Sequence, residues 1–293
     1  MPLESDMTHL AEQADNLFIY AATVLRFIGN DAISDPRGQL ALILGGGRAP
    51  NDNPYIAIDR LYLQVLQTAV LQTAVSQSSE STKRVEGWVC RIIRTIMSIR
   101  EPLPVTALGI IAGIPLQRTQ RVLKLLHSVI RESVSPNNTL RICHPSFIDF
   151  ITNKKRCADS RFLIDVPSRE ISLAQWCLEL MVGYLGRNMA GMEDEAMRNI
   201  DVVNLEGRVK EALHNELRYA CLHWASHMMA TEHADEACLS MLNRFTCGSL
   251  LNWMEAMSLL EEVPRAILMM RNIHAWAVSG HWLDYAVTDD QLI

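Results

Sequence analysis

A histidine stands where a predicted β-strand passes directly into a predicted helix. The segment LRICHPSFIDF, residues 140–150, alternates like a strand as far as His144 and then takes helical spacing, with apolar Phe147 and Phe150. Pro145 suits the first helical position, so we expect His144 at the N-cap. A side chain held there by two elements can face a ligand or another domain, and a purely structural N-cap is the alternative.

A second group of candidate binding residues lies in the segment LQRTQRVLKLL, residues 116–126. Its polar members are Gln117, Arg118, Gln120, Arg121 and Lys124, types that can hydrogen-bond to base edges and pair with phosphates. The preceding LGIIAGIP, residues 108–115, supplies the glycine-containing turn of a helix-turn-helix. DNA binding therefore stays open as a second hypothesis, although many modules of this kind bind only proteins.

The densest histidine group is the metal candidate of the chain. His223 and His227 stand four residues apart on one face of a predicted helix, and Cys221, His233 and Cys238 are near them in sequence. The glutamate of an HExxH motif is absent, and no second paired motif completes a ligand set. We therefore expect no metal site, with His223 and His227 as weak candidates only.

Motifs for self-contained catalysis are missing from the sequence. No GxSxG segment and no glycine-framed nucleophilic cysteine occurs. The three glycines at 45–47 are not part of a GxxxxGK[ST] phosphate loop, and a flexible loop tip explains them better. We predict that the chain is not an enzyme, holds no cofactor in isolation and hydrolyses no nucleotide.

The predicted elements are helical apart from one hairpin. Residues 1–82 read as a helical subdomain that ends in the polar linker SQSSEST, residues 76–82. Residues 83–162 read as three helices and a β-hairpin around SPNN, which is the order of a winged helix. Residues 163–293 predict an irregular antiparallel helical domain. The fold class is therefore mainly α, with a small β-hairpin.

Composition and charge narrow the class of protein further. The chain has 293 residues, is 49% hydrophobic and carries a net charge of −6. Residues 83–156 contain 13 Lys or Arg and 4 Asp or Glu, so this section is basic within an acidic chain. Such asymmetry indicates an anionic partner, or flanking domains that are themselves that partner.

The expected location is the cytoplasm. The N-terminal segment lacks the basic and apolar regions of a secretory signal, and the longest uncharged apolar run is too short for a membrane span. Seven cysteines without a CxxC pair are typical of reduced thiols, which we expect in the core.

Several segments, taken in order, resemble one family. NLFIYAATVLRFI, IDRLYLQVLQTAV, LRICHPSFIDFI, LRYACLHWASHM and LLNWMEAMSLLEEVPRAI are similar to the region between the NACHT domain and the WD repeats of fungal STAND-type signalling proteins. Such proteins are nucleotide-gated switches. The resemblance implies a helical lid, a winged helix and a helical arm in that order.

The resemblance also implies a role for His144. In related switches a histidine at the start of the helix after the hairpin contacts the β-phosphate of bound ADP and latches the closed state. His144 in CHPSF matches that position, so the resemblance makes it the nucleotide-sensing candidate.

The departures from the family pattern limit the prediction. The chain starts at what resembles the tail of the NTPase module and stops before any WD repeat, which fits a truncated gene product, a fragment of a gene model or a regulatory piece that acts on another chain. ADP or ATP would bind only if the chain were joined to a phosphate-loop module. The prediction is a non-enzymatic regulatory arm of a NACHT-type switch. Its partners would be a NACHT NTPase module, in cis or in trans, and other proteins, but neither membrane nor nucleic acid; a winged-helix DNA-binding regulator is the alternative.

Overall fold

Two compact units make up the chain, Met1–Asp165 and Val166–Ile293, in a computed structural model. The structure describes residues 4–14, 17–33, 35–45, 55–74, 79–132, 139–164, 167–193, 197–231 and 234–281. Fourteen α-helices and one two-stranded antiparallel sheet lie in these ranges, which confirms the predicted mainly α class. None of the described helices has the length and apolar content that a membrane span requires.

The first unit contains eight helices and the sheet. The helices are α1 (Glu4–Ala14), α2 (Phe18–Ile28), α3 (Pro36–Leu44), α4 (Ile56–Thr73), α5 (Ser79–Ser98), α6 (Val105–Ile111), α7 (Leu116–Leu125) and α8 (Pro145–Thr152). Between α7 and α8 lie β1 (Ile130–Glu132) and β2 (Leu140–Ile142). The hairpin predicted from the sequence is therefore present, and residues 133–138 at its turn lie outside the described residues.

One hydrophobic core runs through the first unit. Each helix from α2 to α8 and both strands contribute buried side chains to it. These side chains lie between Tyr20 and Ile164 in the sequence. Residue 82, the predicted domain boundary, lies inside α5, whose polar first turn was predicted as linker. Ser79 and Glu80 suit a helix N-terminus, which explains why a core-poor stretch is helical here. The division of residues 1–162 into two domains stays a prediction.

Two helices, α1 and α2, form the N-terminal segment of the predicted helical subdomain. α1 ends at Ala14, and α2 begins after Leu17, whose backbone is extended with φ −83° and ψ 94°. Two polar residues, Asp15 and Asn16, separate the two apolar runs in the sequence, and they lie outside the described residues.

A glycine sets the distance between α6 and α7. A Cβ atom on Gly109 would lie 3.1 Å from Thr119 Oγ1 and 3.2 Å from the carbonyl oxygen of Ile114. Gly113, in the turn between the helices, has φ +62°, a conformation that side chains rarely adopt. Close packing at Gly109 and the positive φ of Gly113 therefore explain why glycine occupies both positions of the predicted helix-turn-helix.

The second unit consists of packed helices. They are α9 (Pro167–Tyr184), α10 (Leu205–Ala212), α11 (Asn215–Met229), α12 (Glu236–Gly248), α13 (Leu250–Leu259) and α14 (Val263–Trp276), with short 3-10 and π turns at Asn199–Asp201 and Ala277–His281. Trp224, Phe245 and Trp253 pack on one another with ring centroids 5.0 to 6.2 Å apart. This aromatic cluster lies at the centre of the unit, because all three side chains are fully buried.

The cysteines are less uniformly buried than the sequence suggests. Four are buried, Cys90 and Cys143 are half-buried, and Cys247 is exposed, so the prediction that all seven are core residues is wrong for Cys247. Burial raises the pKa of Cys221 to about 12 and that of Cys238 to about 11. These two thiols are therefore protonated and unreactive near neutral pH.

An ion pair joins α4 to the segment that follows α8. Arg156 donates from Nη2 to Asp59 Oδ1 at 2.6 Å and from Nε to Asp59 Oδ2 at 3.1 Å, and both side chains are nearly buried. The guanidinium also lies over the Tyr55 ring, 4.7 Å from its centroid. This two-point geometry holds α4 against the segment that follows α8.

Asp59→Ala is expected to destabilise the first unit by about 2 to 3 kcal/mol, because it leaves a nearly buried guanidinium without its acceptor. Urea denaturation followed by circular dichroism measures the change. Glu86→Ala is the matched control: its partner Arg161 is half exposed and keeps Asp159, so the loss should be below about 1 kcal/mol. Equal losses for both variants would contradict a special role of the Arg156 pair.

Candidate functional site

His144 is the N-cap of α8, as the sequence predicts. Its backbone is extended, with φ −153° and ψ 141°, and Pro145 takes the first helical position. The ring accepts a hydrogen bond at Nδ1 from the backbone N–H of Ser146, at 3.1 Å. The histidine is half-buried.

Two residues that the sequence did not point to complete the surroundings of His144. Ser146 Oγ lies 2.8 Å from His144 Nδ1, and the Tyr62 hydroxyl lies 2.8 Å from Ser146 Oγ. Burial raises the pKa of Tyr62, which keeps its hydroxyl protonated and able to donate. Because His144 Nδ1 accepts from the Ser146 backbone N–H, the Ser146 hydroxyl must donate to Nδ1, and its oxygen can then accept from the Tyr62 hydroxyl. We call this set of three residues the His144 relay.

The His144 relay determines which ring nitrogen carries the proton. A backbone N–H can only donate, so Nδ1 must be the acceptor and the neutral ring must hold its hydrogen on Nε2. Within the described residues, Nε2 makes no hydrogen bond. The site therefore offers a hydrogen-bond donor of fixed direction, beside the first turn of a helix. Such a donor suits an anionic or carbonyl oxygen and does not suit a metal ion.

Aromatic packing holds the His144 relay in place. Tyr62 on α4 packs against Phe147 and Phe150 on α8, with ring centroids 5.1 and 5.6 Å away. All three rings are buried. The position of His144 thus depends on α4 as well as on its own helix. Only the apolar spacing of the two phenylalanines was visible in the sequence, because Tyr62 is 84 residues from Ser146.

The candidate base-reading residues lie on α7, with different surroundings. Gln117, Gln120, Arg121 and Lys124 are exposed, and Arg118 is half-buried with its guanidinium 5.7 Å from the centre of the Trp88 ring. The structure thus brings four of the five onto one accessible face. A hollow of about 330 Å³ lies over this face, between α7 and residues of α4 and the α2–α3 connection.

N-terminal residues closely flank the exposed face of α7. Arg121 donates to the carbonyl oxygen of Gln72 at 2.7 Å. The Asn30 side chain donates to the carbonyl oxygens of Lys124 and Leu125, at 3.0 and 3.3 Å. α7 is therefore bordered by α4 and by residues 29–32 and does not stand out as a free ridge.

The two metal candidates, His223 and His227, make hydrogen bonds and ring contacts in the core of the second unit. His227 Nε2 is 2.7 Å from the Tyr219 hydroxyl, and the His223 ring stacks on Tyr219 with centroids 4.6 Å apart. Arg265 places a guanidinium nitrogen 3.3 Å from His223 Nδ1, which opposes a second cation there. No group of three metal-binding side chains exists in the described part of the chain, and His233 lies outside that part. Of the glycine run, Gly45 ends α3, while Gly46 and Gly47 are also outside it.

Comparisons with known proteins add no assignment. No protein-family model matches the sequence, and no curated protein or solved structure is significantly similar to it. The resemblance to fungal STAND-type proteins therefore stays a prediction that depends on the sequence segments themselves.

His144 is expected to be present as the Nε2–H tautomer, because the Ser146 amide holds Nδ1 as an acceptor. Long-range proton–nitrogen correlation NMR distinguishes the two ring nitrogens directly. Ser146→Ala and Tyr62→Phe should shift the Nδ1 resonance, whereas the exposed His127 in the same unit should be unchanged and serves as the internal control. A spectrum with the proton on Nδ1 would refute the assigned direction of the His144 relay.

Proposed function

We propose that this chain is the non-enzymatic regulatory arm of a nucleotide-gated, NACHT-type signalling switch. The observation that carries the proposal is the fixed Nε2–H donor of His144, which the His144 relay holds at the N-cap of α8. The order of α5, α6 and α7, the β1–β2 hairpin and α8 supports the winged-helix interpretation that the family resemblance requires.

The surroundings of His144 fit a single hydrogen bond, from its Nε2–H to a phosphate oxygen. An imidazole N–H can donate to a phosphate oxygen, and the first turn of a helix favours negative charge. A nucleotide phosphate, when present, would supply the acceptor. Binding it firmly needs a backbone cradle and a lysine, which in this family belong to the phosphate-loop module. The chain would therefore sense a nucleotide that another module holds.

The packing of α8 connects the proposed His144–phosphate contact to the rest of the first unit. His144 is linked through Ser146 to Tyr62, and Tyr62 lies in α4, which also carries Asp59. A ligand that engages Nε2 only in the closed arrangement stabilises that arrangement by the free energy of the contact. Loss of the contact shifts the population toward the open form.

A winged-helix DNA-binding regulator is the second candidate, favoured by the exposed Gln117, Gln120, Arg121 and Lys124 on α7. The flanking contacts count against it. A recognition helix must enter a groove about 12 Å wide, and α4 and residues 29–32 border α7 on its accessible face. Part of the basic section also pairs within the unit, as Arg156 does with Asp59.

For the regulatory arm, we expect His144→Ala to speed ADP release by about 10-fold to 100-fold, corresponding to about 1.5 to 3 kcal/mol for a hydrogen bond with a charged group. The measurement uses this chain joined to the phosphate-loop module of a similar protein, with stopped-flow release of fluorescent ADP. Tyr62→Phe should give a smaller increase, because His144 remains in place.

Controls separate sensing from helix capping. His127→Ala should leave ADP release unchanged, and the isolated chain should not bind ADP or ATP appreciably in calorimetry. If His144→Ala lowers the melting temperature while the ADP release rate stays the same, His144 is structural only and the sensing role is wrong.

For the DNA hypothesis, we expect weak binding of random duplex DNA at physiological salt and no preferred sequence, because the cations of α7 are flanked or engaged within the unit. Selection from a random oligonucleotide pool, followed by sequencing, measures the preference. One sharp motif that disappears in an Arg118→Ala, Arg121→Ala double variant would favour the DNA-binding regulator instead.

A further inference from the structure

Two arginines face each other directly across the hairpin. Arg131 of β1 pairs in register with Arg141 of β2, and both side chains are exposed. Cross-strand partners lie on one face of a sheet, and like charges at such positions destabilise it. No carboxylate among the described residues forms an ion pair with either arginine. The hairpin therefore carries two like charges that no described carboxylate pairs with.

A third arginine approaches the same place from α2. Burial raises the pKa of the Cys143 thiol, and the positive charges of Arg26 and Arg131 partly oppose that rise. Arg26 and Arg131 also line the same cleft beside the hairpin. Arg26, like the other two, has no ion-pair partner among the described residues. We call Arg26, Arg131 and Arg141 the hairpin cation cluster.

A cleft of about 820 Å³ adjoins the hairpin cation cluster. It lies between the end of α2, residues 29–32, α7 and the hairpin, and Arg26, Arg131 and Lys124 contribute cationic side chains to its lining. Val105, Leu123 and Leu140 supply an apolar part of the lining, and Asp31 and Glu132 supply carboxylates. Its volume is in the range of sites that hold a small ligand or a short peptide segment.

The cleft contacts both strands of the hairpin. Ile130 and Glu132 point to one face of the strand and Arg131 points to the other, yet all three line the cleft. Leu140 of β2, the cross-strand partner of Glu132, lines the cleft as well. β1 pairs with β2 and with no other described strand, and the N–H of Ile130 already donates to the carbonyl oxygen of Leu126 at 2.8 Å.

We propose that this cleft docks an acidic peptide segment of a partner protein. The carboxylates of the segment pair with Arg26 and Arg131, and its apolar side chains contact Val105 and Leu123. Charge complementarity selects an acidic occupant. Among the described residues, the lining contains no Phe, Tyr or Trp on which a base could stack. These features favour a peptide over single-stranded nucleic acid.

The test measures fluorescence anisotropy of labelled probes with the whole chain. A peptide of alternating Glu and Val should bind, while a peptide of alternating Lys and Val and an oligothymidine should bind much more weakly. The Arg26→Glu, Arg131→Glu double variant should weaken binding of the Glu–Val peptide by at least about tenfold. Arg37→Glu, an exposed arginine on α3, is the matched control and should bind like the natural chain.

A second variant separates loss of binding from loss of folding. Arg131→Gln removes the repulsion with Arg141, so it should keep or slightly raise the urea midpoint of unfolding while it weakens peptide binding. Failure of the natural chain to bind the Glu–Val peptide would overturn the proposal, as would binding that the double variant leaves unchanged. Preferred binding of oligothymidine would also overturn it and assign the cleft to nucleic acid.

Discussion

The packing of Tyr62 on α8 is the contact on which the organisation of the first unit depends. Its ring fills the space beside Phe147 and Phe150, while its hydroxyl reaches Ser146 at the first turn of the same helix. One side chain thus supplies both apolar burial and a polar contact between α4 and α8. Since the hydroxyl is buried, its hydrogen bond avoids the cost of an unsatisfied polar group. The direction of the His144 ring follows from this packing.

Local patterns predicted the parts of the site that are local. The change from alternating to helical spacing, with proline after histidine, located the N-cap and the first residue of α8 correctly. The hairpin was also predicted, because two short apolar runs bracket a turn-forming SPNN segment. Each of these features depends on neighbours within a few residues. The sequence therefore contained enough information for them.

Other parts of the site depend on contacts between distant residues. Nothing in the sequence near His144 indicates that Tyr62 lies two hydrogen bonds away, or that Arg26 approaches the hairpin from α2. The register that sets Arg131 opposite Arg141 depends on the pairing of β1 with β2, which residue spacing alone does not determine. The sequence shows the excess of Lys and Arg in residues 83–156. It does not show which of these side chains form ion pairs within the unit, as Arg156 does with Asp59.

The position of α7, which carries the exposed polar face and lines the cleft, depends in part on its close packing against Gly109 of α6. A Cβ atom at position 109 would lie 3.1 Å from Thr119 Oγ1 and 3.2 Å from the Ile114 carbonyl oxygen, so a larger residue would require its neighbours to shift by a few tenths of an ångström. A buried glycine that would contact no ligand thus helps to position the charged side chains on the surface of α7.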